Sequence, residues 1–163
     1  MEILGRGGCK NSSDGARGRD IFEQVRRAAQ YHPDIIYVHA GENDLRDVDN
    51  DLLIQRLIEL VHYIVATCEP QTIILSQLTN FPANSSVSGY SYRANVKLNE
   101  YFDRHGHYIH NTYVKVWKHT TGIFGPERLR WYAADDVHLN EAGLTAYAGS
   151  VCTIVNRAYN HLQ

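Results

Sequence analysis

The sequence predicts an α/β fold in which helices cover both faces of a parallel β-sheet. Short apolar runs rich in β-branched residues alternate along the chain with amphipathic stretches of helical spacing. No internal repeat and no low-complexity tract interrupts this alternation. A chain of 163 residues is long enough for one core and short for two, so a single domain over residues 1–163 is expected.

Four strands are predicted from apolar runs bounded by turn residues. Asp34–His39 reads DIIYVH, a continuous apolar run of the kind that parallel sheets bury on both faces. The strands are expected at Met1–Leu4, Asp34–His39, Thr72–Leu78 and Tyr108–Asn111. After the last strand, Thr112–Val137 has no clear periodicity, and its length predicts an irregular functional loop.

Four helices are predicted between and after these strands. The strongest signal is Asn50–Cys68, where apolar residues recur at helical spacing until Pro70 stops the run. The other helices are expected at Asp20–Gln30, at Tyr92–Arg104 and from Asn140 toward His161, with Leu144, Tyr147, Val151, Ile154 and Val155 on the inner side of the last one. Asn140 is a suitable cap for that last helix.

Composition excludes several classes of function. Sixteen Lys and Arg residues nearly balance eighteen Asp and Glu residues, so the overall charge gives no support for nucleic-acid binding. No apolar run approaches a membrane span, no signal peptide precedes the first helix, and Cys9, Cys68 and Cys152 form no metal-binding pair. A cytoplasmic location, no membrane association, no metal and no cofactor are therefore expected.

Three polar segments are expected to meet at the carboxyl edge of the sheet, where α/β proteins place their sites. They are the glycine-rich turn GRGG, the tetrapeptide GEND at residues 41–44, and DDVH at residues 135–138. Asn43 can aim its amide at a developing oxyanion, and Gly8 can add an unobstructed backbone N–H. His138 is the candidate general base, and Asp135 is the candidate carboxylate that orients its ring.

Each of these residues also has a structural interpretation. Asn43 and Asp44 can form an Asx turn, Gly41 can be an ordinary strand exit, and His138 can be a surface imidazole. Asp136 competes with Asp135 as the partner of His138. The remaining candidates, His39, His107 and His110, are predicted to be structural or exposed because no carboxylate lies at comparable spacing.

The order of these motifs resembles the SGNH or GDSL hydrolases, a family of serine esterases and acetylhydrolases. GEND resembles the family's GxND block, so Gly41 and Asp44 are expected to support the site, and DDVHLN resembles its terminal DxxH block, whose spacing selects Asp135. GRGG resembles the block that contributes the oxyanion glycine, here Gly8. The resemblance implies a three-layer, flavodoxin-like sheet and a small acyl-ester substrate.

The family's first block, a strand followed by Gly-Asp-Ser, has no counterpart ahead of GRGG. The expectation is therefore a truncated domain that lacks the first strand and the nucleophilic serine and is inactive as written. Ser12 and Ser13 lack the sharp turn that exposes a nucleophile, and Cys9 is more simply a packed thiol. The loss of a strand is expected to expose a sheet edge and to favour self-association.

Two functions follow from the resemblance. The first is an ester hydrolase, and the second is a catalytically silent binding or assembly domain derived from one, for example in a retrotransposon-encoded protein. Aromatic side chains in or beside loops can wall an acyl pocket or simply anchor the loops. These are Tyr90, Tyr92, Phe81, Trp117, Phe124 and Trp131.

Overall fold

The structure is a computed structural model that describes residues 21–45, 49–79, 81, 88–103, 106–120 and 128–162. Its sheet contains strands β1 (Ile35–Val38), β2 (Thr72–Ser76), β3 (Gly106–Ile109) and β4 (Thr112–His119) in the order β1-β2-β4-β3. β1, β2 and β4 run parallel, whereas β3 pairs antiparallel with β4. The α/β class is confirmed, with a mixed sheet. The predicted strand Met1–Leu4 lies outside the described residues.

The helices are α1 (Ile21–Ala29), α2 (Asn50–Cys68), α3 (Ser88–Tyr101), the short α4 (Arg128–Trp131) and α5 (Glu141–Asn160). The predicted bounds of α2 are confirmed. Asp49 caps this helix by accepting a hydrogen bond of 2.8 Å from the backbone N–H of Leu52. Its apolar stripe is fully buried, with Leu53, Leu57, Leu60, Val61 and Ile64 at its centre.

Helices lie on both faces of the sheet. Side chains alternate in direction along a strand, so two consecutive residues of β4 point to opposite faces of the sheet. The ring of His119 contacts Ser150 of α5, whereas the ammonium of Lys118 donates to the backbone carbonyl of Asn99 in α3. α2 packs between α1 and α3, and β2 is buried along its whole length. This arrangement is the three-layer packing that the sequence predicts.

The interpretation of Thr112–Val137 as one irregular loop is wrong at its beginning, because Thr112–His119 forms β4. Alternation is visible there, since Val114 and Val116 are buried while Tyr113 is exposed. The turn before it falls at His110 and Asn111, which both have positive φ angles, so the predicted strand Tyr108–Asn111 is displaced to Gly106–Ile109. A two-residue turn of this kind joins antiparallel strands, which explains why β3 reverses the sheet.

α5 follows the predicted cap. The Asn140 side chain accepts a hydrogen bond of 2.9 Å from the backbone N–H of Gly143. The helix packs on β1 and β2, with Tyr147 partly buried against the core. Leu144 was expected on the inner side, but 57% of its surface is exposed. One helical turn separates these two residues in the sequence, and only Tyr147 lies over the sheet.

Candidate active site

The carboxyl ends of β1, β2 and β4 lie at one edge of the sheet because these strands are parallel. The chain leaves β1 through His39 and Ala40 into the GEND turn. It leaves β2 through Gln77, Leu78 and Thr79. The predicted site therefore rests on the ends of buried strands.

The GEND turn is a single turn of 3₁₀ helix, Glu42–Asp44, that begins at Gly41. Gly41 has a φ angle of 105°, a conformation that side chains strongly disfavour. A Cβ atom here would also lie 3.1 Å from Leu53 Cδ1 of α2. Glycine is thus required both by the backbone and by the packing of α2 against the turn.

Asp44 and Asn43 face different environments. The Asp44 side chain is 1% exposed, and its Oδ1 accepts a hydrogen bond of 3.1 Å from the guanidinium of Arg56. This ion pair fixes the end of the turn to α2. Asn43, one residue earlier, is exposed. The position of Asn43 is compatible with the donor role predicted for it.

The DDVH turn brings Asp135 and His138 into direct contact. His138 Nδ1 lies 2.5 Å from Asp135 Oδ2, and Asp135 Oδ1 accepts hydrogen bonds of 3.0 Å from the backbone N–H groups of Val137 and His138. The hydrogen bond from the His138 ring, reinforced by these two N–H groups, holds the pKa of Asp135 well below its usual range. Asp136 has a φ angle of 57°. The carboxylate on the His138 ring is thus that of Asp135.

The base of this turn is tied together by backbone contacts. The Ala133 N–H donates to the His138 carbonyl at 2.8 Å, and Asn140 Nδ2 donates to the carbonyls of Arg130 and Tyr132. Gly143 allows the start of α5 to lie close to the Trp131 backbone, because a Cβ at this position would lie 2.1 Å from the Trp131 carbonyl oxygen. These contacts hold the His138 side chain at the surface, where it is 80% exposed.

Tyr132, at the base of the DDVH turn, packs near the segment that follows β2. This residue is 5% exposed, and its ring centroid lies 6.4 Å from that of Phe81, which follows β2. Burial raises the pKa of Tyr132, and the nearby negative charge of Glu42 raises it further. The base of the DDVH turn is therefore packed beside the segment that leaves β2. Gly8, Cys9, Ser12 and Ser13 lie outside the described residues.

A comparison with protein-family models identifies the family of this chain. The model of the GDSL-like lipase/acylhydrolase family matches residues 2–146. This chain belongs to the GDSL-like lipase/acylhydrolase family. The matched range contains both GEND and DDVH. Neither the curated proteins nor the solved structures gave a match.

One histidine of this family member was misjudged from the sequence. His39 was predicted to lack a carboxylate at comparable spacing, but its Nε2 lies 3.3 Å from Glu42 Oε2, three residues later. Its Nδ1 lies 3.0 Å from Ser76 Oγ at the end of β2. The His-x-x-Glu spacing is visible in the sequence and was the signal that could have found this pair.

Another histidine, His119, is buried, and the missed strand hid it from the sequence analysis. His119 ends β4, is 5% exposed, and contacts the Tyr37 hydroxyl at 3.0 Å and Ser150 Oγ at 2.7 Å. Burial lowers its pKa, and the charge of His39 lowers it further. The Tyr37 hydroxyl in turn lies 2.9 Å from that of Tyr147. A polar cluster therefore lies between the sheet and α5, next to the site edge.

The candidate pocket aromatics are dispersed in the structure. Trp117 is part of β4 rather than of a loop, and its ring packs against His161. Phe81 is buried, whereas Tyr92 is 67% exposed on α3. Phe124 lies outside the described residues. An open groove beside the DDVH turn is lined by Arg130, Trp131, Asn140, Glu141, Ala142, Thr145 and Ala146.

In the part of the chain that the structure describes, no group of three or more His, Cys, Asp or Glu side chains can hold a metal ion. Over the same residues, no helix combines the length and apolar character needed to cross a membrane.

Proposed function

We propose that this chain carries the base and the oxyanion donors of a serine acylhydrolase that acts on small acyl esters. The observation that carries the proposal is the contact between Asp135 and His138 in a GDSL-family domain. A carboxylate that orients one ring nitrogen of an imidazole leaves the other available to take a proton. Among the described residues, His138 Nε2 has no partner.

In the proposed reaction, His138 Nε2 removes the proton of a serine hydroxyl as the serine oxygen attacks the ester carbonyl carbon. Asn43 and Gly8 donate hydrogen bonds to the oxygen that becomes negative. His138 then passes the proton to the departing alcohol. Water, activated by the same imidazole, hydrolyses the acyl-enzyme and regenerates the serine.

No serine whose side chain the structure describes is suited to this role. Ser76 and Ser91 are 2% and 1% exposed, and Ser150 contacts His119 rather than His138. The 163 residues contain no Gly-Asp-Ser tripeptide. The proposed reaction requires a nucleophilic serine, and the labelling experiment below asks which residue supplies it.

The open groove beside the DDVH turn supports the choice of substrate. It borders Asn140, two residues after His138, and presents the Trp131 ring as an apolar wall. We propose that a small acyl or alcohol group lies in this groove.

A catalytically silent binding domain is the second candidate. The absence of Gly-Asp-Ser from the printed sequence favours it. Such a domain would keep the same cleft and bind a carbonyl or an anion with the Asn43 donor. The two candidates differ in covalent chemistry, because only a hydrolase forms an acyl-enzyme.

The test is covalent labelling with a fluorophosphonate probe, with the adduct mapped by mass spectrometry. Two proteins are compared: the 163-residue chain and the chain extended by its upstream coding sequence. We expect no adduct on the first and an adduct on the Gly-Asp-Ser serine of the second. His138→Ala should abolish this adduct, whereas His161→Ala, a change at a histidine outside the site, should keep it.

Three results decide between the alternatives. An upstream sequence without Gly-Asp-Ser, or an extended chain that is never labelled, would establish the silent domain. An adduct on Ser12 or Ser13 that disappears in His138→Ala would move the nucleophile into this chain. Labelling that survives His138→Ala would remove His138 from the mechanism.

A further inference from the structure

The inference concerns the second histidine–carboxylate pair, His39 and Glu42, at the end of β1. The register of β1 and β2 pairs Val38 with Leu75, so the next residues, His39 and Ser76, lie side by side where the strands end. Ser76 pairs in turn with His119 of β4. The pair thus lies at the edge where the candidate active site forms.

Both nitrogens of the His39 ring are engaged. Nδ1 lies 3.0 Å from Ser76 Oγ, and Nε2 lies 3.3 Å from Glu42 Oε2. These contacts contain the residue types of a Ser-His-Glu triad. Ser76, however, is 2% exposed and also donates to the Gln77 carbonyl at 3.0 Å, so no substrate can reach its hydroxyl. The group therefore holds structure in place and does not attack an ester.

Glu42 joins two loops through its other carboxylate oxygen. Oε1 accepts a hydrogen bond of 3.0 Å from the Thr79 backbone N–H and a second from the Thr79 hydroxyl. Burial raises the pKa of Glu42, but the hydrogen bond and charge of His39, together with the Thr79 donors, outweigh burial and leave the pKa below its usual value. Glu42 is thus a carboxylate anchored at both oxygens.

Asn43 is the next residue in the same 3₁₀ turn. Its neighbours on both sides are fixed, Glu42 by His39 and Thr79, and Asp44 by Arg56. A backbone rotation that reorients the Asn43 side chain would have to break one of these contacts of Glu42 or Asp44. A displacement of about 1 Å in a catalytic group can reduce a rate about a hundredfold, so this restraint matters for an oxyanion donor.

We propose that His39 and Glu42 are positioning residues that fix the direction of the Asn43 amide. Glu42 acts through the backbone of the GEND turn, and His39 holds Glu42 against the end of β2. Neither residue touches the substrate. The inference rests on the proposed function because that function gives Asn43 its donor role.

The first measurement follows the side-chain amide of Asn43 by ¹H–¹⁵N NMR in the 163-residue protein. Glu42→Ala removes both anchors, and we expect the Asn43 amide resonance to shift and broaden. Glu42→Gln keeps an acceptor for Thr79 and a donor for His39 Nε2, so we expect it to restore the wild-type resonance. Glu59→Ala, on the exposed face of α2, removes a carboxylate that contacts only Gln55 among the described residues and should leave the resonance unchanged.

The second measurement is the rate of fluorophosphonate labelling in the extended protein. We expect Glu42→Ala to slow labelling by at least about tenfold, which is part of the 10²- to 10³-fold loss that removing a whole oxyanion donor produces. Glu42→Gln should label within about threefold of the wild-type rate, because the turn is retained. If Glu42→Ala does not fold, Thr79→Val takes its place in both measurements; it removes the hydroxyl hydrogen bond to Glu42 and keeps the backbone one, so we expect the same changes at smaller size.

An Asn43 resonance that is identical in Glu42→Ala and the wild type would overturn the positioning role. A shift that Glu42→Gln fails to restore would also overturn it, because the acceptor geometry would then not be the cause. A wild-type protein that is never labelled contradicts the proposed function alone, and the Asn43 resonance then decides whether the pair positions the turn.

Discussion

The two histidine–carboxylate pairs have the same spacing but different surroundings. His138 and Asp135 have side chains that are 80% and 50% exposed, and Asp135 makes its other described contacts within its own turn. His39 and Glu42 are 31% and 29% exposed, and their further contacts reach another strand and loop. The partners of each pair are three positions apart in the sequence.

This difference indicates what each pair can do. A histidine that acts as general base needs a free ring nitrogen that the nucleophile's hydroxyl can approach. Among the described residues, His138 Nε2 meets that condition, whereas both His39 nitrogens have partners. Solvent access and the second ring nitrogen, more than the spacing, separate a candidate base from a structural anchor.

The largest expected effect comes from breaking the exposed pair. Asp135→Asn should lower kcat/KM for a short acyl ester about 10⁴-fold in the extended protein, because the amide no longer favours the required tautomer of His138. Asp136→Asn is the matched control, since it changes the adjacent carboxylate. We expect Asp136→Asn to stay within about tenfold of the wild type. Equal losses in the two variants would contradict the assignment of Asp135.

The second prediction compares the stability effects of alanine substitutions at two glycines, Gly41 and Gly149. Gly41→Ala should destabilise the fold by about 1–3 kcal/mol, because alanine at a φ angle of 105° is strained and its Cβ presses on Leu53. Gly149→Ala lies in α5 with open space around the new Cβ, and should stabilise by up to about 1 kcal/mol. Urea unfolding measures both. A neutral or stabilising Gly41→Ala would show that the GEND turn is not held as described.

The smallest expected effect is the pH dependence of stability at Asp135. Because its pKa is lower in the folded protein, the ionised carboxylate stabilises the fold above the pKa of an unfolded Asp, about 3.9. This contribution is lost as the pH falls through the folded value. The difference in Tm between the wild type and Asp135→Asn should thus be present above about pH 5 and shrink below it. A difference independent of pH would contradict a charge-based contact.

The local patterns in the sequence predicted most of the fold. The apolar spacing of Asn50–Cys68 and the following Pro70 placed α2 correctly, because its burial depends on residues within the helix itself. β4 was missed because Lys115 and Lys118 interrupt the apolar run. Both side chains extend to backbone carbonyls, of His161 and Asn99, and only the folded structure shows that arrangement.

In the candidate site, too, the contacts within one turn were predictable from the sequence and the contacts between strands were not. The contact between Asp135 and His138 lies within one turn, so the spacing of the two residues was sufficient to predict it. The contacts of His39 depend on the register between β1 and β2, which no local pattern specifies. The catalytic roles of Asp135, His138, Asn43 and Gly8 stay predictions.

The most direct test of the account compares the two histidines in one assay. The rate of fluorophosphonate labelling is measured for the extended wild-type protein, His138→Ala and His39→Ala, with thermal melting to confirm that each is folded. The account predicts that His138→Ala abolishes labelling, whereas His39→Ala still labels at a rate reduced about 10- to 100-fold by the loosened turn. Labelling that persists in His138→Ala and disappears in His39→Ala would contradict the account, because His39 would then be the base.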